Sequence, residues 1–142
     1  MTVVVTNAQH EAPVNVARMT RLARCAARRL SIRTRGTLQI TFMTSQAIRR
    51  LNRQFLRYDR PTDVLSFRYD GESIAGEIFI APTQARRYAK EHHVSYAEEL
   101  GRYVAHGLLH WLGHDDRTVA QQRQMRTLED QLLAQCGSHA RL

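Results

Sequence analysis

The spacing of apolar positions changes period several times along the chain, and each change marks an element. Residues 2–6, TVVVT, are β-branched and predict a short strand. Asn15 stands where a helix cap belongs, ahead of a predicted helix from Val16 to about Leu30. Val16, Met19, Leu22, Ala23, Ala26 and Leu30 form its apolar stripe. Between Thr37 and Met43 the period drops to two, with Leu38, Ile40 and Phe42 on one face of a half-buried strand. Thr44 or Ser45 caps a second helix whose inward positions are Ile48, Leu51 and Phe55. The stretch YDRPTD breaks it, since Pro61 disfavours helical backbone at Arg60. Val64 to Phe67 and Glu77 to Ala81 predict two more strands around the turn-rich DGES. Pro82 suits the first turn of a helix reaching about His92. Ser95 and Glu98 form a capping box for a helix that runs to Leu112 and stops at Gly113. A last helix, from about Thr118 to Cys136, aligns Met125, Leu128, Leu132 and Cys136 and is closed by Gly137. Strands and helices mix without strict βαβ alternation, so the expected class is α+β.

Composition narrows this little, and charge narrows it more. A chain of 142 residues without repeats or linkers predicts a single domain over 1–142. No apolar run approaches the roughly 20 residues of a membrane span. The opening MTVVVTNAQHEAPV has neither the basic front nor the apolar stretch of a signal peptide, so a cytoplasmic location is expected and a membrane partner is not. Cys25 and Cys136, far apart in sequence, are expected to be reduced and without functional role. The net charge is +8, and every basic residue except Lys90 is arginine. Guanidinium forks match phosphate geometry and can stack on bases, which points to a polyanionic partner such as RNA. Arg18, Arg21, Arg24, Arg28 and Arg29 share the polar face of the first helix, where they can follow a nucleic-acid backbone.

The chemistry concentrates in HGLLHWLGHDD, His106 to Asp116. His106 and His110 are four residues apart, about 40° around a helix and one turn along it, so both imidazoles can converge on one ion. Gly113 lets the chain turn back, and any of His114, Asp115 and Asp116 can then supply a third ligand. Three protein ligands with one open position is the catalytic arrangement of zinc. Gly107 inside the helix implies a need for room, since glycine there is about 1 kcal/mol worse than alanine. Gly107 also stands where a zinc protease carries its glutamate base, so peptide hydrolysis is not expected.

HGLLHWLGHDD, together with PTDVLSF at 61–67, Leu51-Asn52, Gly76-Glu77-Ile78 and the Met125/Glu129 pair, resembles the YbeY family of bacterial endoribonucleases and rRNA maturation factors. The resemblance covers roughly residue 38 onward. It implies a four-stranded mixed sheet packed with about five helices and a zincin-like metal-binding helix. It also implies one zinc ion, a bacterial cytoplasm, and single-strand-specific cleavage in 16S rRNA 3′-end maturation and ribosome quality control. Rather than a histidine, the family's third ligand position here holds Asp116, a competent zinc ligand; His114, at the family's tyrosine position, is the alternative. The family's arginine after the aromatic at Phe55 is shifted by one, to Arg57.

On this reading His106, His110 and Asp116 hold the ion, which lowers the pKa of its water and polarises a phosphodiester oxygen. Arg57 offsets charge developing on the phosphorus, and Asp115 or His114 orients a ligand or shuttles protons. Asp63 and Ser66 are expected to support the site. Expected partners are single-stranded RNA or rRNA and the ribosome or a ribosomal protein. Two readings compete: a ribosome-associated RNA-binding factor with a structural metal, and a metal hydrolase of a small molecule, which would need a deep apolar pocket.

Overall fold

The computed structural model describes residues 1–56, 63–69 and 73–141, with Leu56 and residues 138–141 described by backbone alone. Four strands form one mixed sheet: β1 (Thr2–Asn7), β2 (Thr37–Phe42), β3 (Val64–Arg68) and β4 (Ile74–Ile80). Their order is β1-β2-β4-β3, with β2 parallel to β1 and β4, and β3 antiparallel to β4. Among the described residues five α-helices accompany it: α1 (Val16–Arg29), α2 (Ser45–Leu51), α3 (Pro82–His92), α4 (Tyr96–Trp111) and α5 (Val119–Arg141). The α+β class and the mixed sheet are as expected. Among the described residues, no helix is long and apolar enough to cross a membrane.

The period-two pattern of β2 becomes burial, with Leu38, Ile40 and Phe42 all at or below 1% exposure. They join Ile78 and Ile80 of β4, Val104, Leu108 and Leu109 of α4, and Met19, Leu22 and Ala23 of α1 in the main core. Asn15 caps α1 by accepting from the Arg18 N–H at 3.0 Å. Removing this apolar surface from water is worth about 25 cal/mol per Å², and it holds α4 between the sheet and the helices α1, α3 and α5.

The structure departs from the sequence expectations at four places. First, β4 begins at Ile74, three residues early, because Ala75 and Gly76 are buried under Trp111. The Trp111 indole fills the space a β-carbon on Gly76 would take, and its Nε1 donates to the Ala75 carbonyl at 3.2 Å. Second, α2 passes into a π-helical turn, Asn52–Leu56, which rotates the side chains beyond Leu51 about the helix axis; Asn52 is buried while Phe55 is 59% exposed, not inward-facing. Third, α5 keeps helical backbone through Gly137 and ends at Arg141. Fourth, Cys25 and Cys136 form a disulfide with Cα atoms 5.7 Å apart, correcting their assignment as free thiols. Their sequence separation of 111 hides that α1 and α5 pack side by side. Most of YDRPTD lies outside the described residues.

Candidate metal centre

Helix α4 carries the two histidines, and its placement follows from three local features. At its start, the Ser95 hydroxyl accepts from the Glu98 N–H at 3.2 Å. In its middle, Gly107 lies on the sheet where a β-carbon would stand 2.6 Å from Ile78 Cγ2 and 3.2 Å from Val64 Cγ1. The Ser66 hydroxyl of β3 donates to the Gly107 carbonyl at 2.8 Å, tying the helix to the sheet beside His106. At its end, Gly113 adopts φ 104°, a left-handed backbone that suits glycine. The Gly113 N–H donates to the His110 carbonyl (2.9 Å) and the His114 N–H to the Leu109 carbonyl (3.0 Å), the paired bonds of a Schellman motif.

That reversal brings Asp116 back over α4. Its position is fixed from the other side by α5, where Gln122 Nε2 donates to the Asp116 carbonyl at 3.1 Å. Thr118 and Gln121 complete a reciprocal capping box there: the Gln121 N–H donates to the Thr118 hydroxyl, and the Thr118 N–H to Gln121 Oε1, both at 3.1 Å.

The outcome is a convergent donor set. The two imidazole rings sit 4.4 Å apart between centroids. Asp116 Oδ2 lies 3.6 Å from His106 Nε2 and 3.4 Å from His110 Nε2. An ion held tetrahedrally at about 2.0–2.1 Å separates its ligand atoms by about 3.3–3.4 Å, so these spacings fit one zinc-sized cation. Ligand atoms of His106, His110 and Asp116 all lie within 4.8 Å of one another, the one such group among the described residues. The aspartate in this group is Asp116; His114 is not part of it.

Behind His106 stands a residue whose role the sequence reading did not assign. Glu129, 5% exposed, accepts from His106 Nδ1 at 2.6 Å. With the proton on Nδ1, the Nε2 lone pair faces Asp116 and the groove, as a metal ligand requires. Arg102 in turn donates to Glu129 Oε1 (3.1 Å) and to Asp130 Oδ1 (2.8 Å). Glu129 entered the sequence reading only as half of the Met125/Glu129 pair, and its contact with His106 spans 23 positions, so no local spacing announces it.

The remaining candidates fall elsewhere. Asp115 is exposed and lies 3.6 Å from the Arg117 Nε, outside the donor set. Arg57 lies outside the described residues. Ser66 supports α4, and Asp63 accepts from the Tyr103 hydroxyl at 3.3 Å. Burial pushes the Asp63 carboxyl above its usual range, against the opposing pull of Tyr103, His106 and Arg87. Burial, reinforced by Asp63, likewise pushes the Tyr103 phenol up, so Tyr103 remains a donor.

The site opens on a groove of about 520 Å³ lined by Asp63, Tyr103, His106, Asp116, Arg126 and Glu129 among others. Tyr88, Glu99, Arg102 and Arg126 also line a second groove of about 380 Å³, which reaches Arg18 on α1. The groove at the donor set is walled by charged side chains, among them Asp63, Glu99, Arg102, Asp116, Arg126 and Glu129, unlike the deep apolar pocket a small-molecule hydrolase would need. Arg21, Arg24 and Arg28 are exposed on α1, and Arg18 is half-buried.

Residues 4–137 match the sequence model of a family described as Endoribonuclease YbeY. An endoribonuclease YbeY of Flavobacterium johnsoniae is 36% identical over 100 residues, covering 70% of this chain and 72% of that one. Its counterpart in Acholeplasma laidlawii is 36% identical over 104 residues, covering 72% and 76% respectively. A solution structure of a Thermotoga maritima protein superposes with a TM-score of 0.63 and 22% identity, covering 97% of this chain and 93% of that one. At that identity it bears on the fold alone.

Proposed function

The chain belongs to the endoribonuclease YbeY family, and from that premise we propose a zinc-dependent, single-strand-specific endoribonuclease of the bacterial cytoplasm. It acts in 16S rRNA 3′-end maturation and ribosome quality control, with the ribosome or a ribosomal protein as partner. The observation that carries the metal dependence is the convergence of His106 Nε2, His110 Nε2 and Asp116 Oδ2 at 3.4–3.6 Å. Charge supports it as well. Asp63, Glu99, Asp116 and Glu129 line the groove against Arg102 and Arg126, so a phosphodiester would be repelled there without a cation.

His106, His110 and Asp116 hold the ion in this reading. When bound, zinc supplies Lewis acidity for phosphodiester hydrolysis, acidifying water and polarising a phosphoryl oxygen. Glu129 keeps the His106 proton on Nδ1. Tyr103, a phenol that stays protonated, gives its one proton to Asp63 and holds that carboxyl at the groove wall. Arg57 offsets charge that builds on the scissile phosphate, and Asp115, next to Asp116 in the chain, relays protons. Arg18, Arg21, Arg24 and Arg28 bind the RNA backbone beyond the reaction centre.

Three protein donors rather than four among the described residues favour an open, reactive ion over the purely structural one of a non-catalytic binding factor. The test is incubation of zinc-loaded protein with single-stranded RNA and with a duplex of the same sequence. Cleavage of the single strand, abolished by His110→Ala in a folded protein, supports the enzyme. Tight RNA binding without cleavage by the wild-type protein would replace it with the binding factor.

A further inference from the structure

Arg102 touches none of the three metal donors, yet it lies at the head of the chain of contacts that aims one of them. It stands one helical turn before His106 on α4, so both side chains leave the same face. Its guanidinium reaches α5 twice, through Nη1 to Glu129 Oε1 (3.1 Å) and Nη2 to Asp130 Oδ1 (2.8 Å). Nε is 3.9 Å from Glu99. The other oxygen of Glu129 takes the His106 Nδ1 proton at 2.6 Å. Each oxygen of the Glu129 carboxylate therefore has one hydrogen-bonded partner, which fixes the plane of the group and its distance from the imidazole.

We propose that Arg102 is a positioning residue for the metal centre, holding Glu129 so that His106 presents Nε2 to the ion. The proposal rests on the metal-centre reading above. The physical case is burial. The side chains of Glu129 and Arg102 are 6% and 16% exposed, so water cannot fully replace a missing partner. A buried carboxylate bonded on one side only can rotate towards other donors, and the histidine it orients turns with it. By Coulomb attraction alone, removing the Arg102 cation would strengthen the hold on a divalent cation, so a loss of zinc affinity in its absence reports orientation of the ligands and not charge. Asp130, more than half exposed, anchors the guanidinium without touching the histidine.

A plain brace between α4 and α5 would use the same bonds, so the test must separate bracing from aiming. Zinc affinity is measured by chelator competition on Arg102→Met, Arg102→Lys, Glu129→Gln and Asp130→Asn, alongside melting temperature. The His106 tautomer is read from ring ¹⁵N shifts of the metal-free proteins. The proposal expects Glu129→Gln and Arg102→Met each to weaken zinc binding on the order of 10-fold. It expects Arg102→Lys to recover part of that loss, and Asp130→Asn to lower the melting temperature with little change in affinity. The Nδ1–H tautomer should dominate in the wild type and mix with the Nε2–H form in Arg102→Met. Unchanged affinity and tautomer in a folded Arg102→Met protein would overturn it. Should that variant not fold, Arg102→Lys decides: wild-type affinity and tautomer there would overturn the role of the two-pronged contact. Failure of the wild-type protein itself to bind zinc would instead remove the metal-centre reading on which the proposal stands.

Discussion

A β-carbon on Gly107 would stand 2.6 Å from Cγ2 of Ile78, so α4 lies against β4 at a distance only glycine allows. Ile78 is fully buried and branched at Cβ, so its Cγ2 methyl cannot swing aside. The residue before Gly107 is His106, the first side chain of the candidate donor set. Packing distance between helix and sheet therefore sets where His106 begins.

Gly107→Ala weighs two effects. Alanine gains about 1 kcal/mol of helix propensity, while overpacking a core costs about 1–3 kcal/mol. The overpacking should win by about 1 kcal/mol, lowering the melting temperature by about 3 °C. Thermal denaturation followed by circular dichroism checks this, and a rise would show that the helix can lift without penalty.

Much of this site was legible in the sequence where contacts are local. The four-residue spacing of His106 and His110, the bend at Gly113 and the return of Asp116 are all fixed within one helix end. The strand β2 and the cap at Asn15 follow equally from short-range pattern. What depends on packing between distant elements was not legible. Glu129 and Arg102 find each other, and His106, only once α4 and α5 lie side by side. The π-helical turn that turns Phe55 outward changes a period no propensity announces. Gly137 looked like a helix end, yet with nothing to force a positive φ the helix simply continues.

The Cys25–Cys136 disulfide closes a loop with a sequence separation of 111, and chain-entropy reasoning makes such a crosslink worth about 4–5 kcal/mol. Reduction, or Cys25→Ala with Cys136→Ala, should lower the melting temperature by more than 10 °C, on the order of 3 °C per kcal/mol. Alkylation of the denatured protein before and after reduction, read by mass, checks the bond. Two thiols alkylated without reductant would contradict it.

Glu99 should give stability a specific pH dependence. Burial pushes its carboxyl above 4.5, against Arg102 and Arg126, which pull it down. The native state then holds this proton more tightly than the unfolded chain. Its stabilising contribution is complete below pH 4.5 and is lost as pH rises through the native value. Glu99→Gln abolishes that loss. The difference in unfolding free energy, variant minus wild type, should thus grow more positive from pH 4 to pH 7. A difference that falls over that range would contradict the assignment.

If α1 follows an RNA backbone, its arginines should appear in the salt dependence. Removing one arginine–phosphate pair flattens the slope of log affinity against log salt by about 0.7 for a single strand. Arg21→Gln, Arg24→Gln and Arg28→Gln together should flatten it by about 2, measured by fluorescence anisotropy with single-stranded RNA. An unchanged slope would place the RNA elsewhere.

The central claim is a single ion completed by an aspartate beyond the Gly113 bend. Zinc titration of chelator-stripped wild-type, Asp116→Ala and His114→Ala proteins tests it most directly. The account predicts one equivalent bound by the wild type and by His114→Ala, and loss of the site in Asp116→Ala. No stoichiometric zinc in the wild type, or a site lost with His114 and kept without Asp116, would contradict it.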